Sequence, residues 1–318
     1  MLNEFELIDA ITKWLNPGSK KILKPIGDDC ACVKIGGKLA LLSNDEQIEN
    51  THFKRSFDPH GVGYKLIAAN VSDIYACGGK PKFVNLALAV PSDLDERWIG
   101  KLYDGINEAC MAFGVSVTGG NTTRSDTLAI GAFIVGTTSR FVPRSGAKAG
   151  DLLYVSAPLG ASRFGLERLL AGEAKHPLTE AHLYPKLPSE IVKTVRKYAS
   201  ACIDISDGFL GDLRQIAKTS GVGFRIDDPS QIADMRLIAE LGSEKAKEYA
   251  LYGGEEYQLL FTAPRKYRDK FALEPIGEAL EARLFSIGGV RKEAQGFDHF
   301  AATTPPKSRA RARRSPDR

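Results

Sequence analysis

Ile26-Gly27-Asp28-Asp29-Cys30 places two adjacent carboxylates directly behind a glycine near the start of the chain. Neighbouring carboxylates repel each other, so a fold that keeps them close usually has a positive charge facing them. A divalent cation is a suitable partner, because magnesium takes oxygen ligands and commonly joins carboxylates to substrate phosphates. The alternative is an ordinary turn, where acids beside glycine are frequent.

Similar clusters of small, acidic and hydroxyl residues recur further along the chain. They are Ser43-Asn44-Asp45, Asn70-Val71-Ser72-Asp73, Gly119-Gly120-Asn121-Thr122-Thr123-Arg124, Asp204-Ile205-Ser206-Asp207-Gly208 and Gly253-Gly254-Glu255-Glu256. We interpret the series as one site gathered from many turns. No Walker A sequence or dinucleotide fingerprint is present, so phosphates would be held mainly through metal ions. The sequence therefore predicts a magnesium-dependent phosphoryl-transfer enzyme.

Arginines and two of the acids have competing interpretations. Arg124 and Arg144 are candidate phosphate clamps, since guanidinium binds such oxygens in a bidentate manner, but either could form a surface ion pair. Glu255 and Glu256 are candidates for the site or simple solvated charges.

The composition is that of an ordinary soluble protein, with 43% hydrophobic and 26% charged residues in 318. This length favours two domains. No secretory signal or membrane-spanning stretch is evident, so a cytoplasmic location is expected. Five scattered cysteines argue against a disulfide framework and are interpreted as small buried side chains.

The net charge of +4 comes from the C-terminal tail. Residues 307–318 hold six basic residues and one acidic residue, a net +5, so residues 1–306 carry −1. With few apolar residues, the tail 303–318 is predicted to be disordered. Salt-dependent attachment of the tail to nucleic acid is a minor alternative, because it has no aromatic residues for stacking.

Apolar periodicity predicts two halves that each combine helices with strands, so the fold class is α+β or α/β. Helices are predicted over 3–15, 61–77 and 94–113, and strands over 31–35 and 38–42 flank a Gly36-Gly37 turn. Asp45 is then expected at a strand exit, and Gly119 to Arg124 in a turn after a strand over 115–118. A second half follows the loop at 144–151, with one helical stretch over 232–249. The expected domains are 1–140 and 141–302, with a ligand cleft between them.

Taken together, the clusters resemble the thiamine-monophosphate kinase family, in the superfamily of aminoimidazole ribonucleotide synthetase and selenophosphate synthetase. The resemblance runs from about Glu4 to Phe300. It rests also on His52-Phe53, Arg144-Ser145-Gly146-Ala147-Lys148 and Gly296-Phe297-Asp298-His299-Phe300. It implies a two-domain aminoimidazole ribonucleotide synthetase-like fold and a homodimer, in which sheets of the N-terminal domains pair into a barrel.

The resemblance also implies the reaction, which is direct in-line transfer of the γ-phosphate of ATP to thiamine monophosphate, giving thiamine diphosphate. Several Mg²⁺ ions take part, and K⁺ is left open as a further ion. No membrane or nucleic-acid partner is expected. By motif, the catalytic acids are Asp45, Asp73 and Asp207, and the metal positions are Asp29, Ser43, Asn44, Asp45, Asp73, Asn121, Asp204 and Asp207. ATP would contact Gly120, Asn121, Arg144 and Ser206, and thiamine monophosphate would contact His52, Glu255 and Phe297.

This chain departs from the family pattern at four positions. Asn44 replaces Thr, Asn121 replaces Asp, Glu256 replaces Asp and Gln258 replaces Glu. Because an amide oxygen ligates magnesium without bringing negative charge, Asn121 predicts weaker binding of one metal. Another ATP-dependent kinase or synthetase of the superfamily, or a non-catalytic nucleotide-binding relative, are the alternative functions.

Overall fold

The computed structural model describes residues 4–15, 18–282 and 284–291. The predicted N-terminal helix is present as α1 (Glu4–Trp14), in which Thr12 Oγ1 donates to the carbonyl of Ile8 at 2.8 Å. Two features named above, Phe297 and the basic tail 303–318, lie outside the described residues.

The first sheet has six strands: β1 (Ile22–Lys24), β2 (Ala31–Ile35), β3 (Lys38–Ile48), β4 (Lys80–Val90), β5 (Ser116–Arg124) and β6 (Ala129–Thr138). Their order across the sheet is β1-β2-β3-β6-β4-β5, and only the β4–β5 pair is parallel. Within the described residues this sheet is open, with β1 and β5 at its edges.

Two expectations for this sheet were wrong. Asp45 is not at a strand exit, because β6 pairs with β3 from Leu39 to Ile48 and keeps the strand extended through Asp45. The stretch from Gly119 to Arg124 is not a turn, because it pairs with β4 as the second half of β5. Gly119, at a φ of +133°, lies where the register shifts, and the two glycines at this irregularity are what resembled a turn in sequence.

Helices α2 (Pro59–Ala76) and α3 (Glu96–Phe113) pack against each other in this half. Asp58 caps α2 by accepting from the backbone N–H of His60, and Pro59 occupies the first turn. A Cβ atom on Gly105 would lie 1.9 Å from the carbonyl oxygen of His60, so the helices approach too closely for any side chain there. Fourteen residues of α2 are buried, so this helix lies within the core.

The second sheet has seven strands in the order β13-β12-β9-β11-β7-β10-β8. The strands are β7 (Leu152–Val155), β8 (Ala201–Asp204), β9 (Gly223–Ile226), β10 (Leu259–Ala263), β11 (Gly277–Leu280), β12 (Phe285–Ile287) and β13 (Val290–Arg291). Its helices are α4 (Ala161–Leu170), α5 (Thr179–Leu183), α6 (Val192–Tyr198), α7 (Phe209–Ser220), α8 (Met235–Leu241) and α9 (Ser243–Tyr252). Two 3₁₀ turns cover Pro229–Ile232 and Arg265–Lys270.

The second half contains more elements than predicted. The helical stretch over 232–249 is interrupted, because Gly242 at a φ of +79° separates α8 from α9. The short elements β11, β13 and α5 of this half were not predicted, nor was β1 of the first half, since two to five residues are too few to show a periodicity.

Apolar side chains form two buried clusters. One joins α2, α3 and the first sheet to residues of β7, β8 and β10, and the other lies within the second half. All five cysteines are buried and free, as predicted. Among the described helices, none has the length and apolarity to cross a membrane.

Candidate active site

Three predicted metal ligands converge at the core of the site. One carboxylate oxygen from each of Asp29, Asp73 and Asp204 lies within 4.8 Å of the others. Asp29 follows β1, Asp73 is on the last turns of α2, and Asp204 ends β8, so residues from both halves of the chain meet here. The prediction that scattered acids gather into one cluster is thus confirmed for these side chains.

Two hydroxyls orient the acids of this cluster. Ser43 Oγ donates to Asp73 Oδ2 at 2.5 Å, and Ser72 Oγ donates to Asp204 Oδ2 at 2.7 Å. Ser43 was predicted from its motif, whereas Ser72 was not assigned a role. Its position one residue before Asp73 on a buried helix was the available signal.

Burial and mutual repulsion dominate the electrostatics of the cluster. Burial raises the pKa of Asp29 to about 7, although Arg144 opposes the shift. Burial, assisted by the charges of Asp207 and Asp29, raises the pKa of Asp45 to about 6. Burial also raises the pKa of Asp204 to about 6 and that of Asp73 well above its ordinary value. Ionisation of these carboxylates is therefore disfavoured, first by burial and then by the neighbouring negative charges.

Arg144 is the principal cation beside the cluster. Its Nε and Nη2 atoms donate to Asp29 Oδ1 at 3.0 and 2.6 Å, and its backbone N–H donates to Asp28. Asp28 also pairs with Lys24 Nζ at 3.2 Å. Asp28 and Asp29 thus face positive charges, and these charges belong to the side chains of Lys24 and Arg144. Arg144 forms its ion pair within the site rather than on the surface.

The second carboxylate oxygen of Asp29 lacks a hydrogen-bond partner among the described residues. This oxygen, Oδ2, is also buried. An unpaired buried carboxylate oxygen is costly, and a hard cation would satisfy it. The all-oxygen donors of the cluster are those that Mg²⁺ prefers.

Three other predicted residues do not join the cluster. Alternation along β3 directs Asn44 to the opposite sheet face from Ser43 and Asp45, beside Phe133 of β6. Gly120 and Asn121 lie on β5, which β4 and β6 separate from β3. At a spacing of ~4.8 Å between strands, the backbones of β3 and β5 are ~14 Å apart.

Glu255 lies in a second polar group, which the sequence did not indicate. Its Oε1 atom accepts from Lys65 Nζ at 2.6 Å, and Lys65 Nζ lies 3.0 Å from His182 Nε2. Despite burial, Lys65 holds the pKa of Glu255 at about 2, and His52 adds a smaller effect of the same sign. Glu255 is therefore ionised, and its charge interacts with that of His52, the other predicted substrate contact. His52 itself accepts the backbone N–H of Ile48 through Nδ1.

Neither Glu256 nor Gln258 is a solvated side chain. Glu256 Oε1 accepts the backbone N–H groups of Gly160 and Ser162, which satisfies the start of α4. Burial raises the pKa of Glu256 to about 8. Gln258 bridges Ser156 Oγ and the carbonyl of Lys186. Two of the departures from the family pattern thus have structural partners.

The loop after β8 completes the acidic region. Ser206 and Asp207 are half-buried in the turn before α7, and the carbonyl of Ser206 accepts the N–H of Glu255. Asp212, which the sequence did not single out, fixes this turn by accepting the backbone N–H groups of Asp207 and Gly208. The charge of Asp207 reaches Asp45 and Asp204, since it raises both pKa values.

Comparison with known proteins agrees with this arrangement. Residues 27–138 match the family described as AIR synthase related protein, N-terminal domain, and residues 148–297 match its C-terminal domain. Thiamine-monophosphate kinase of Aquifex aeolicus (strain VF5) is 39% identical over 307 residues, covering 94% of this chain and 98% of that protein. The chain belongs to the thiamine-monophosphate kinase family. It has the two-domain fold of the AIR synthase related proteins.

Further members of the thiamine-monophosphate kinase family extend this similarity. The enzyme of that name from Escherichia coli (strain K12) is 34% identical over 322 residues, with 94% of this chain and 98% of that protein covered. The solved structure "AaThiL complexed with AMPPCP and TMP" is 40% identical, with a TM-score of 0.85, and the match covers 94% of this chain and 97% of that chain. Hydrogenase maturation protein HypE, at 15% identity and a TM-score of 0.68, over 90% of this chain and 97% of that chain, shares the fold alone.

Proposed function

We propose that this protein catalyses the ATP-dependent phosphorylation of thiamine monophosphate to thiamine diphosphate. The observation that carries the proposal is the convergence of Asp29, Asp73 and Asp204 around the unpaired buried oxygen of Asp29, in a chain similar along its length to enzymes with this activity. The fold alone would not separate this reaction from others of the superfamily, but identities of 34% to 39% with named kinases favour it.

The cluster is suited to hold Mg²⁺, through Asp29, Ser43, Asp45, Asp73, Asp204 and Asp207. Bound there, Mg²⁺ would neutralise the phosphate oxygens whose charge is redistributed during transfer. Arg144 orients Asp29, while Ser43 and Ser72 orient Asp73 and Asp204. These contacts keep the ligands in place before substrate binds. Glu255 and His52 would bind thiamine monophosphate next to the cluster, and the assignment of Phe297 stays a prediction.

Phosphoryl transfer mainly requires positioning and charge neutralisation. We assign positioning of the phosphates to the acidic cluster through its cations, and positioning of the acceptor to Glu255 and His52. Gly120, Asn121, Arg144 and Ser206 stay predicted contacts of ATP. Gly120 and Asn121 are remote from β3 across the sheet. For these residues to contact ATP, either the nucleotide extends over the sheet or another copy of the chain completes the ATP site. Use of K⁺, the domain boundaries 1–140 and 141–302, and a cytoplasmic location also stay predictions.

We further propose a homodimer in which the first sheets of two chains join into a barrel. All nine residues of the edge strand β5 are exposed. Phe83 and Phe133, on the same face of neighbouring strands β4 and β6, have 50% and 43% of their surfaces exposed. A long unprotected edge next to exposed aromatic side chains is typical of a surface that pairs with another strand.

The test of the proposed function is direct. Purified protein is incubated with ATP, Mg²⁺ and thiamine monophosphate, and thiamine diphosphate and ADP are quantified. Equal amounts of both products are expected. Asp207→Ala should reduce turnover at least about a hundredfold, as loss of a charge-stabilising group does in other enzymes, whereas Asp269→Ala, an exposed acid of the 3₁₀ turn, should not. Nucleotide binding without product would instead support a non-catalytic relative.

A further inference from the structure

A buried lysine lies directly behind Glu255. The side chain of Lys65, on α2, is 1% exposed, and its ammonium contacts Glu255 Oε1 and His182 Nε2 at 2.6 and 3.0 Å. An ammonium group only donates, so both partner atoms accept. His182 Nε2 therefore carries no proton. The ring proton is on Nδ1, which lies 3.2 Å from Ser162 Oγ.

The histidine is held neutral by its surroundings. Burial first, and the charge of Lys65 second, lower the pKa of His182 to about 3. The group as a whole, Lys65, Glu255, His182 and Ser162, thus consists of one cation, one anion and two neutral side chains. It is a chain of hydrogen bonds that begins at α4, passes through α5 and α2, and ends at Glu255.

Glu255 is the most accessible member of this chain. Its side chain is 27% exposed, whereas those of Lys65 and His182 are 1% exposed. Its backbone has a φ of +58°, a conformation that non-glycine residues seldom adopt and that surrounding contacts must maintain. Oε1 accepts from Lys65 Nζ at 2.6 Å and, at 3.4 Å, from the hydroxyl of Tyr257. Oε2 lies 3.7 Å from His182 Nδ1, beyond hydrogen-bond distance. One oxygen is anchored and the other remains available.

The geometry points to Lys65 as a positioning residue for substrate binding. By anchoring Oε1, with His182 and Ser162 behind it, Lys65 fixes the carboxylate of Glu255 so that Oε2 accepts a hydrogen bond from the ring system of thiamine monophosphate. This inference rests on the proposed function. A partly exposed carboxylate held at a strained backbone position is typical of a functional site.

The experiment is a double-mutant cycle with Lys65→Met and Glu255→Gln, both of which remove charge at nearly constant size. For each variant, KM for thiamine monophosphate, KM for ATP and kcat are measured, with thermal melting as a check of folding. Lys101→Met, an exposed lysine of α3, is the matched control. The double variant is expected to fold even if Lys65→Met alone does not, because it leaves no unpaired charge in the core.

We expect Lys65→Met to raise KM for thiamine monophosphate about tenfold, equivalent to ~1.4 kcal/mol, with KM for ATP unchanged. In the Glu255→Gln background the same substitution should change KM less than about twofold, because the carboxylate it positions is already absent. An equal rise in both backgrounds, an equal rise in KM for ATP, or an unaltered KM in Lys65→Met would overturn the inference while leaving the kinase activity intact. A wild-type protein without turnover would overturn both this inference and the proposed function.

Discussion

Replacing Asp45 by Asn should stabilise the protein when no divalent cation is present. Asp45 is on β3 beside the cluster, and burial first, then the charges of Asp207, Asp29 and Glu46, oppose its ionisation. Asn keeps the shape of the side chain and removes its charge. If the cluster exists to bind cations, its carboxylates repel one another in the metal-free protein, and removal of one charge relieves that repulsion.

The magnitude follows from the pKa of Asp45, which rises from 3.8 to about 6. At ~1.4 kcal/mol for each unit of pKa, ionised Asp45 lowers the free energy of unfolding by at most ~3 kcal/mol. Screening of a half-buried side chain reduces this to ~1–2 kcal/mol. Because the folded-state pKa lies above the unfolded value, the carboxylate costs stability above about pH 6 and progressively less as the pH falls toward 3.8.

The assay is urea unfolding at pH 8, first in EDTA and then in Mg²⁺. In EDTA, Asp45→Asn should unfold at a higher urea concentration than wild type, by ~1–2 kcal/mol in free energy. At a hundred times its Kd, Mg²⁺ should add ~2.7 kcal/mol to wild type and less to the variant. Asp269→Asn serves as the control at an exposed acid. The reasoning fails if Asp45→Asn is no more stable than wild type in EDTA, or if Mg²⁺ stabilises both equally.

Three further predictions concern a buried acid, an amide and an exposed aromatic residue. Burial raises the pKa of Glu256 from 4.5 to about 8, so ionisation of this carboxyl destabilises the folded protein. As the pH rises between those two values, the free energy of unfolding of wild type should fall relative to that of Glu256→Gln by ~1.4 kcal/mol per pH unit. Urea-unfolding free energies that run parallel for the two proteins from pH 5 to 9 would contradict this. Asn121→Asp should lower the magnesium concentration giving half-maximal activity, by about two- to tenfold, because it adds a negative ligand; an unchanged requirement would count against Asn121 as a ligand. Phe133→Asp should shift the protein from dimer to monomer in analytical ultracentrifugation, since it places a charge on the exposed face of β6, whereas a dimer of unaltered strength would exclude this face.

The sequence was sufficient for most of the larger elements. Helix α3 has a clear apolar periodicity, α2 is indicated by its high content of apolar residues, and the Gly36-Gly37 turn between β2 and β3 is a local signal. Local patterns failed where pairing partners decide the conformation. Asp45 follows an apolar run and resembles a strand end, but β6 extends β3 beyond it.

The sequence also predicted which acids would lie together, since small acidic motifs keep their chemistry wherever the chain carries them. The motifs predict that Asp29, Asp73 and Asp204 lie together, and their carboxylates meet in the structure. Asn44 shows the limit of this approach, because a motif does not state which face of a strand each residue occupies. Only the pairing with β6 shows that β3 stays extended through Asn44, so that alternation turns it away from Ser43.

What the sequence determined by itself was the kind of chemistry, through its oxygen-bearing side chains and their resemblance to a family. What only the tertiary structure decided was which of these groups are paired. Arg144 reaches Asp29 across 115 positions, and Lys65 reaches Glu255 across 190. Contacts at such separations depend on how sheets and helices pack, and the energy of a buried charge depends on those contacts rather than on its neighbours in sequence.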